Sequence, residues 1–225
     1  MNLLKSTPVY QVDAFTTEMF KGNPAAVVLL SDHFPTEEIM QSIAAENNLS
    51  ETAFVVPEKS NHNRIYHIRW FTPLIEVNLC GHATLAAAHV LFNELNICSE
   101  KIEFLSKSGP LIITQNGSDI TMDFPADVPH QLDTPNETLL QILLSSGFHA
   151  DSIREVLQAT EDLIIVLEDE KTVASLTPNH QALATIDTRC VIITAPGNDT
   201  DFVARVFAPR AGIPEDPARD QLIPL

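Results

Sequence analysis

The chain has 225 residues, of which 44% are hydrophobic, and this is enough to fill the core of one large domain or of two smaller ones. Its formal net charge of −17 repels phosphate backbones and anionic lipid surfaces, so neither nucleic acid nor membrane is expected as a partner. The sequence shows no basic leader running into an apolar stretch and no apolar run of about 18 residues, which predicts a cytoplasmic protein.

The first half of the sequence alternates strand-like and helix-like segments. Four short apolar runs predict strands: VYQVDAF, AAVVLL, TAFVVPE and YHIRWFTP. Helical spacing appears in PTEEIMQSIAAENN and again in CGHATLAAAHVLF. The stretch KIEFLSKSGPLIITQNGSDITMDFP predicts a meander of antiparallel strands, and a first domain would end at about residue 125.

The second half repeats this mixture. The segments TLLQILLSSG and SIREVLQAT are interpreted as helices, and the strands are predicted at DLIIVLED, KTVASLTP, CVIITAPG and DFVARVFAP. The sequence therefore predicts an α+β protein with mostly sheet and two domains, residues 1–125 and 126–225.

A faint internal repeat links the two halves. Both contain an Arg-x-Phe-x-Pro pattern, at residues 69–73 and 205–209, and a glutamate follows each pattern, Glu76 in the first half and Glu215 in the second. The repeat predicts two similar domains that face each other, with the segments after each pattern meeting at a cleft, where ligand sites tend to form.

The segment CGHATLAAAHVLF has apolar residues on all sides, which predicts a buried helix. Gly81 would let a ligand approach the backbone, the N–H groups of the first turn attract carboxylate or phosphate, and His82 would add a donor. The alternative is a buried helix whose first imidazole bonds a carbonyl group. Cys80 has two interpretations: a thiol with a lowered pKa that acts as base or nucleophile, or a small buried residue.

The sequence does not predict a metal site. His82 and His89 are too far apart for a zinc pair, and neither an HExxH motif nor a second cysteine cluster supplies further ligands. The three cysteines, Cys80, Cys98 and Cys190, are odd in number and lack CxxC spacing, so we expect reduced thiols.

Three further motifs carry polar groups that could act on a ligand. Glu51 opens an apolar strand in NNLSETAFVV, where lost hydration raises a carboxyl pKa and favours proton transfer, although an edge-strand carboxylate or a helix-end partner would have the same pattern. Asn23 in KGNPAAVV belongs to a turn and could hold a carboxylate or carbonyl. Asp216 lies in GIPEDPARD, which is either a surface turn or the second half of the repeat.

Taken together, YQVDAFTTEMFKGNPAAVVLL, LSETAFVV, IRWFTPLIEVNLCGHATLAAAHVL and FAPRAGIPEDP resemble the PhzF-like (phenazine biosynthesis) isomerase family. The resemblance runs from Tyr10 to Pro217. It implies the diaminopimelate-epimerase type of fold, in which two similar domains each wrap a mostly antiparallel sheet about a central helix. The helix that follows Gly81 would be the first central helix.

The resemblance also implies an activity without cofactor. In the family, a glutamate of the SETAF-type motif moves a proton on a small carboxylic acid, and here that residue is Glu51. Gly81, His82 and Asp216 match the positions that hold or polarise the anionic substrate, and Asn23 lies in the Gly-Asn-Pro motif near the same cleft. Family members commonly pair, which implies a homodimer. The residues do not indicate which carboxylic acid is the substrate.

One departure from the family pattern leaves other functions open. The family continues its EDP motif with a Thr-Gly-Ser-Ala-His type of segment, whereas this sequence reads EDPARDQLIPL, so the second domain is expected to be incomplete. The first alternative is a degenerate member of the fold that binds a ligand or acts as a scaffold without catalysis. The second is a two-base racemase or epimerase in which Cys80 is one of the bases.

Overall fold

The computed structural model describes residues 7–59, 64–97, 99–132, 137–145 and 148–217. The chain divides into two compact units, residues 1–125 and 126–225. Among the described residues, no helix is long and apolar enough to cross a membrane. Cys98 and residues 218–225, which include the expected gap after the EDP motif, lie outside the described residues.

The described residues of unit 1 form an eight-stranded sheet with the strand order β1-β2-β3-β4-β6-β7-β8, and β5 pairs with β4. Most neighbours are antiparallel, and the pairs β2/β3 and β4/β6 are parallel. The strands are β1 (Val9–Ala14), β2 (Asn23–Leu29), β3 (Glu51–Pro57), β4 (Ile65–Phe71), β5 (Glu76–Val77), β6 (Lys101–Ser106), β7 (Gly109–Asn116) and β8 (Asp119–Asp123).

Helix α2 (Gly81–His89) lies at the centre of this sheet and continues as a π-helical segment, Val90–Glu94. It packs against β1, β2, β3 and β8, so the sheet curls around it from one edge to the other. The contact surface of α2 is built from small residues such as Ala83 and Ala87, which meet large, fully buried side chains, among them Trp70 and Phe104. Burying each such large side chain contributes about 1.5 to 3 kcal/mol to stability. The prediction of a buried central helix after Cys80 is confirmed.

Helix α1 (Glu37–Asn47) covers the other face of the sheet, where it packs against β3 and β4. Met40 and Ala44 point into a second core with Phe54 and Phe71, whose rings meet edge to face. Strand β3 is therefore buried on both faces, which explains why its residues after Thr52 are apolar without alternation.

Unit 2 contains a six-stranded sheet with the order β14-β13-β12-β11-β10-β9, in which β11 and β12 are parallel and the other pairs are antiparallel. Helices α3, α4 and α5 lie between its strands in sequence, and α4 packs against β11, β12 and β13. The elements are β9 (His130–Gln131), α3 (Glu137–Ser145), β10 (Ile153–Gln158), β11 (Asp162–Leu167), α4 (Glu170–Ser175), α5 (His180–Leu183), β12 (Cys190–Pro196), β13 (Phe202–Ala208) and β14 (Ile213–Asp216).

The two sheets share one pattern of strand pairing. The strands β1 to β5 pair in the series antiparallel, parallel, antiparallel, antiparallel, and β10 to β14 repeat that series. The parallel pairs begin at matching points, Ala25 opposite Glu51 in unit 1 and Asp162 opposite Cys190 in unit 2. The predicted similarity of the two halves is confirmed, and Cys190 occupies in unit 2 the position that Glu51 occupies in unit 1.

Two local predictions in the second half are wrong. The segment SIREVLQAT forms strand β10 instead of a helix, because pairing with β9 and β11 buries Val156 and Leu157 and overrides its helical spacing. The segment around KTVASL forms α4 instead of a strand. Asp169 caps this helix by accepting a 2.7 Å hydrogen bond from the Thr172 N–H, a start signal that the pattern of apolar residues does not reveal.

Candidate active site

Glu51 is the first residue of β3 and lies in the core of unit 1. Its side chain is only 7% exposed, and after Thr52 the strand continues with apolar residues. Ala25 of the parallel neighbour β2 lies opposite Glu51, and Asn23 stands one pleat before Ala25 on the same face. Both predicted site residues are therefore buried on the face of the sheet that packs against α2.

Gly22 makes the approach to Asn23 possible. A β-carbon at this position would lie 2.2 Å from the carbonyl oxygen of Ala14 and 2.7 Å from the Thr16 side chain, which is far inside van der Waals contact. Only glycine lets β1 and β2 come together here in the register that pairs Ala14 with Asn23.

Cys80 and His82 are positioned by the start of α2. Cys80 is the N-cap residue in extended conformation, Gly81 is the first helical residue, and the Cys80 side chain makes no capping hydrogen bond to the first turn. The Thr84 hydroxyl donates a 2.5 Å hydrogen bond to the Cys80 carbonyl, and this bond holds the N-cap residue against the first turn of the helix. Cys80, His82 and Thr84 are all buried. The Cys80 side chain does not cap this turn, and the N–H groups at the start of a helix attract an anionic group.

Glu51, His82 and Cys80 form a row with the imidazole in the middle. The Nε2 atom of His82 lies 3.3 Å from Oε2 of Glu51, and its Nδ1 atom lies 3.5 Å from Sγ of Cys80. The Nε2 atom is close to the carboxylate without the direction of a hydrogen bond, and it has no hydrogen-bond partner among the described residues. The row brings a carboxylate, an imidazole and a thiol together in one apolar enclosure.

The imidazole of His82 is neutral at physiological pH. Burial lowers the pKa of His82 to about 4, because an imidazolium ion at this position would lose its hydration. A neutral imidazole can donate a hydrogen bond from one nitrogen and accept one at the other. At Nε2, His82 can therefore offer a donor to a ligand without placing a full charge in the core.

Three side chains of the site have the atoms that metal ions bind. One oxygen, nitrogen or sulfur atom from each of Glu51, His82 and Cys80 lies within 4.8 Å of the others. The spacing argument from sequence did not include Glu51 among the donors. However, the two partners of His82 face different ring nitrogens, and an ion binds an imidazole through one nitrogen only. The geometry fits a row of proton-holding groups better than a chelate, and the expectation of no metal stays a prediction.

Asp216 lies in unit 2, at the end of β14, where it is buried and opposite Val206. The same sheet holds a buried polar cluster that the sequence did not predict. The Cys190 thiol donates to Oδ1 of Asp162 at 3.0 Å, and Nε of Arg189 donates to the same oxygen at 2.8 Å. Burial and then the charge of Asp162 raise the pKa of Cys190 well above its usual value, so this thiol keeps its proton.

Five of the predicted site residues belong to unit 1. Glu51, Cys80, Gly81 and His82 meet at the starts of β3 and α2, and Asn23 lies on the same face of the sheet as Glu51. The association of Asp216 with this group stays a prediction. Sequence reasoning missed Thr84, whose position one helical turn after Cys80 was the available signal. It also missed Asp162 and Arg189, which meet only because β11 and β12 pair.

Comparisons with known proteins show the family and the fold of the chain. The family described as phenazine biosynthesis-like protein matches residues 12–219. An uncharacterized isomerase of Pseudomonas aeruginosa is 45% identical over 208 residues, which are 92% of this chain and 75% of the relative. The crystal structure of a phenazine biosynthesis protein of the PhzF family from Enterococcus faecalis has a TM-score of 0.80 at 46% identity, covering 95% of this chain and 78% of that one.

More distant structures share the fold alone. A hydroxyproline epimerase from Agrobacterium vitis is 9% identical with a TM-score of 0.61, over 94% of this chain and 72% of its own. The epimerase-like fold predicted from the motifs is thereby confirmed. Because the family match extends over nearly the whole chain and the similar structures have the same architecture, the chain belongs to the phenazine biosynthesis-like family.

Proposed function

We propose that the protein is a cofactor-independent isomerase that moves a proton on a small carboxylic acid, with Glu51 as the acid and base. The observation that carries this proposal is the buried Glu51 carboxylate, 3.3 Å from a neutral imidazole at the start of a buried helix. The family match and the relative named as an isomerase support the reaction class.

The anionic end of the substrate would bind at the start of α2. The N-cap side chain of Cys80 makes no capping hydrogen bond, and Gly81 leaves room beside the backbone. Nε2 of His82 is a fully buried nitrogen with no hydrogen-bond partner among the described residues. Asn23, on the neighbouring strand, would contribute an amide to the same group. Asp216 would add a second polar contact from unit 2.

The reaction needs only one base, which takes a proton from one carbon and delivers a proton to another. Glu51 removes a proton from a carbon next to the activating group, and the electron pair of the broken C–H bond moves into an enolate that His82 and the helix start stabilise. The carboxyl proton of Glu51 exchanges with the solvent, and Glu51 then delivers a proton to another carbon, so the product is an isomer and nothing is oxidised or reduced. A positioned base accelerates such a step by about 10² to 10⁴, and oriented donors add a comparable factor.

The test is deuterium exchange in a panel of small carboxylic acids. Each acid is incubated with the protein in D₂O, and ¹H NMR follows the loss of carbon-bound protons. We expect exchange of at least one acid by the wild type and none by Glu51→Gln, which keeps the shape of the side chain and removes the base. The matched control is Glu46→Gln, an exposed glutamate on α1, which should exchange like the wild type.

Two outcomes would overturn the proposal. If Glu51→Gln exchanged as fast as the wild type, Glu51 would not be the base. If no acid exchanged while some acids still raised the melting temperature of the protein, a non-catalytic binding protein would be the better description.

The proposal also includes a homodimer, because the family resemblance implies pairing, and it keeps the cytoplasm as the expected location. Sedimentation equilibrium tests the pairing, since one chain has a mass of 24.8 kDa. A mass of a single chain at all concentrations would refute the dimer and leave the isomerase proposal intact.

A further inference from the structure

An arginine of β4 fastens the short strand β5 to the sheet of unit 1. Arg69 donates to both carboxylate oxygens of Glu76, from Nε at 2.7 Å and from Nη2 at 2.6 Å. Its guanidinium also lies 5.2 Å from the ring centre of Phe71. The Glu76 side chain is only 9% exposed, so this is a largely buried, two-pronged ion pair and not a loose surface contact.

Unit 2 repeats this arrangement residue for residue. Arg205 of β13 donates to both oxygens of Glu215 on β14, from Nε at 2.7 Å and from Nη2 at 2.9 Å. Its guanidinium lies 5.1 Å from the ring centre of Phe207. The repeat that the sequence showed as Arg-x-Phe followed by glutamate is therefore a repeat of one structural device, which we call the Arg–Glu clasp: Arg69 with Glu76, and Arg205 with Glu215.

Each clasp precedes a predicted site residue by a short stretch of sequence. In unit 1, Glu76 opens the segment that runs through Asn78 to Cys80 and the start of α2, which carries His82. In unit 2, Glu215 immediately precedes Asp216. A shift of the clasp would therefore move the backbone that carries the site residue.

Other contacts reinforce the clasp in unit 1. Lys107 forms an ion pair with Glu76, and the Ser108 hydroxyl donates a 2.9 Å hydrogen bond to the Asn78 carbonyl. Burial alone would raise the pKa of Glu76, but the hydrogen bonds from Arg69 and Lys107 outweigh it and lower that pKa. The carboxylate therefore stays charged, as a two-pronged contact to arginine requires.

We propose that the two Arg–Glu clasps are positioning pairs that hold His82 in unit 1 and Asp216 in unit 2 in the geometry needed for substrate. This inference rests on the proposed function for its consequence in catalysis. Arginine is required because its planar fork holds a carboxylate in one orientation, whereas lysine keeps the charge and makes a point contact.

The experiment compares Arg69→Lys with Arg205→Lys by NMR at neutral pH. The reporters are the ring nitrogen shifts of His82 and the carboxylate carbon shift of Asp216. We expect Arg69→Lys to shift the His82 signals and leave Asp216 unchanged, and Arg205→Lys to do the reverse. The control is Arg154→Lys, which alters an exposed Arg–Glu pair with Glu168 and should change neither reporter.

A second variant covers the case in which Arg69→Lys does not fold. Arg69→Leu combined with Glu76→Met removes both charges, a replacement that ion pairs often tolerate, and should still shift His82. Unchanged His82 signals in a folded clasp variant would overturn the inference, and so would equal changes at His82 and Asp216 in both single variants.

The catalytic consequence is measured separately. With an acid that the wild type exchanges, Arg69→Lys should lower kcat by about tenfold to hundredfold with little change in KM, because misplaced groups slow the chemical step. An unchanged kcat would refute a positioning role. If the wild type exchanges no acid, the proposed function fails, whereas the NMR comparison still decides whether the clasps position His82 and Asp216.

Discussion

At the scale of single residues, His82 links the site to the stability of the protein. Its pKa is lowered by burial from 6.5 to about 4, so between these values the unfolded chain takes up a proton that the folded chain does not. Folding stability must then fall as the pH decreases through this range. From about pH 7.5 to about pH 5.5 we expect His82 to contribute a loss of about 1 kcal/mol in the free energy of unfolding.

Urea unfolding of the wild type and of His82→Asn at both pH values measures this contribution. The variant should lose less stability between the two pH values, by about that amount. The exposed His33 provides the control, since His33→Asn should keep the pH dependence of the wild type. Equal pH dependence in His82→Asn and the wild type would show that His82 is not the group responsible.

Cys80 separates the one-base reaction from the two-base alternative. Its thiol lies 3.5 Å from Nδ1 of His82, on the side of the ring away from Glu51. A one-base reaction through Glu51 does not need this thiol, so Cys80→Ala should slow deuterium exchange by less than about tenfold, below the usual contribution of a general base. A two-base racemase would lose its activity with the thiol, and abolished exchange in folded Cys80→Ala would favour it.

The chemistry of single residues was more predictable than their contacts. Glu51 and His82 were candidates from the sequence because a carboxyl before an apolar strand and an imidazole at a helix start are unusual. Their 3.3 Å contact depends on how α2 lies against β3, which the sequence does not display. The cluster of Asp162, Arg189 and Cys190 depends in the same way on the pairing of β11 with β12.

At the scale of elements, the first half was predicted well because its strands and helices have strong patterns and clear turns. In the second half, β10 carries a pattern compatible with either structure, and its partners β9 and β11 determine the outcome. Helix α4 is short, and a cap at Asp169 outweighs its β-branched residues. Short elements are thus decided by single capping or pairing contacts, which a search for periodicity overlooks.

The β1–β2 connection provides a test at this scale. Gly22→Ala would place a β-carbon 2.2 Å from the Ala14 carbonyl oxygen, and relief of this contact requires the backbone before Asn23 to move. We expect a loss of about 1 to 3 kcal/mol in the free energy of unfolding, as is typical of overpacking. Urea denaturation measures this loss.

The control for Gly22→Ala is the same substitution made in a Thr16→Ala background. Thr16→Ala removes the side-chain contact at 2.7 Å and leaves the contact with the backbone. Gly22→Ala should therefore remain destabilising in that background. Recovery of wild-type stability in the double variant would mean that the Thr16 side chain, and not the Ala14 carbonyl, sets the requirement for glycine.

At the scale of the whole molecule, the dominant property is the negative net charge. The chain has 30 acidic and 13 basic residues. Like charges on the folded chain repel one another, and salt screens this repulsion over distances beyond the Debye length, about 10 Å at 0.1 M. We expect the melting temperature to rise when sodium chloride is increased from about 0.01 M to about 0.1 M. A fall in the melting temperature would mean that ion pairs such as the clasps dominate over the net charge.

The protonated thiol of Cys190 has a stereochemical consequence. Cys190 stands in unit 2 where Glu51 stands in unit 1, but its raised pKa and its bond to Asp162 leave it unable to accept a proton. Of these two matching residues, only Glu51 is then available for the base proposed above. A single base removes and delivers hydrogen on the same side of the molecule that it acts on, so the transfer would be suprafacial, and the hydrogen in the product would lie on the face from which it was taken.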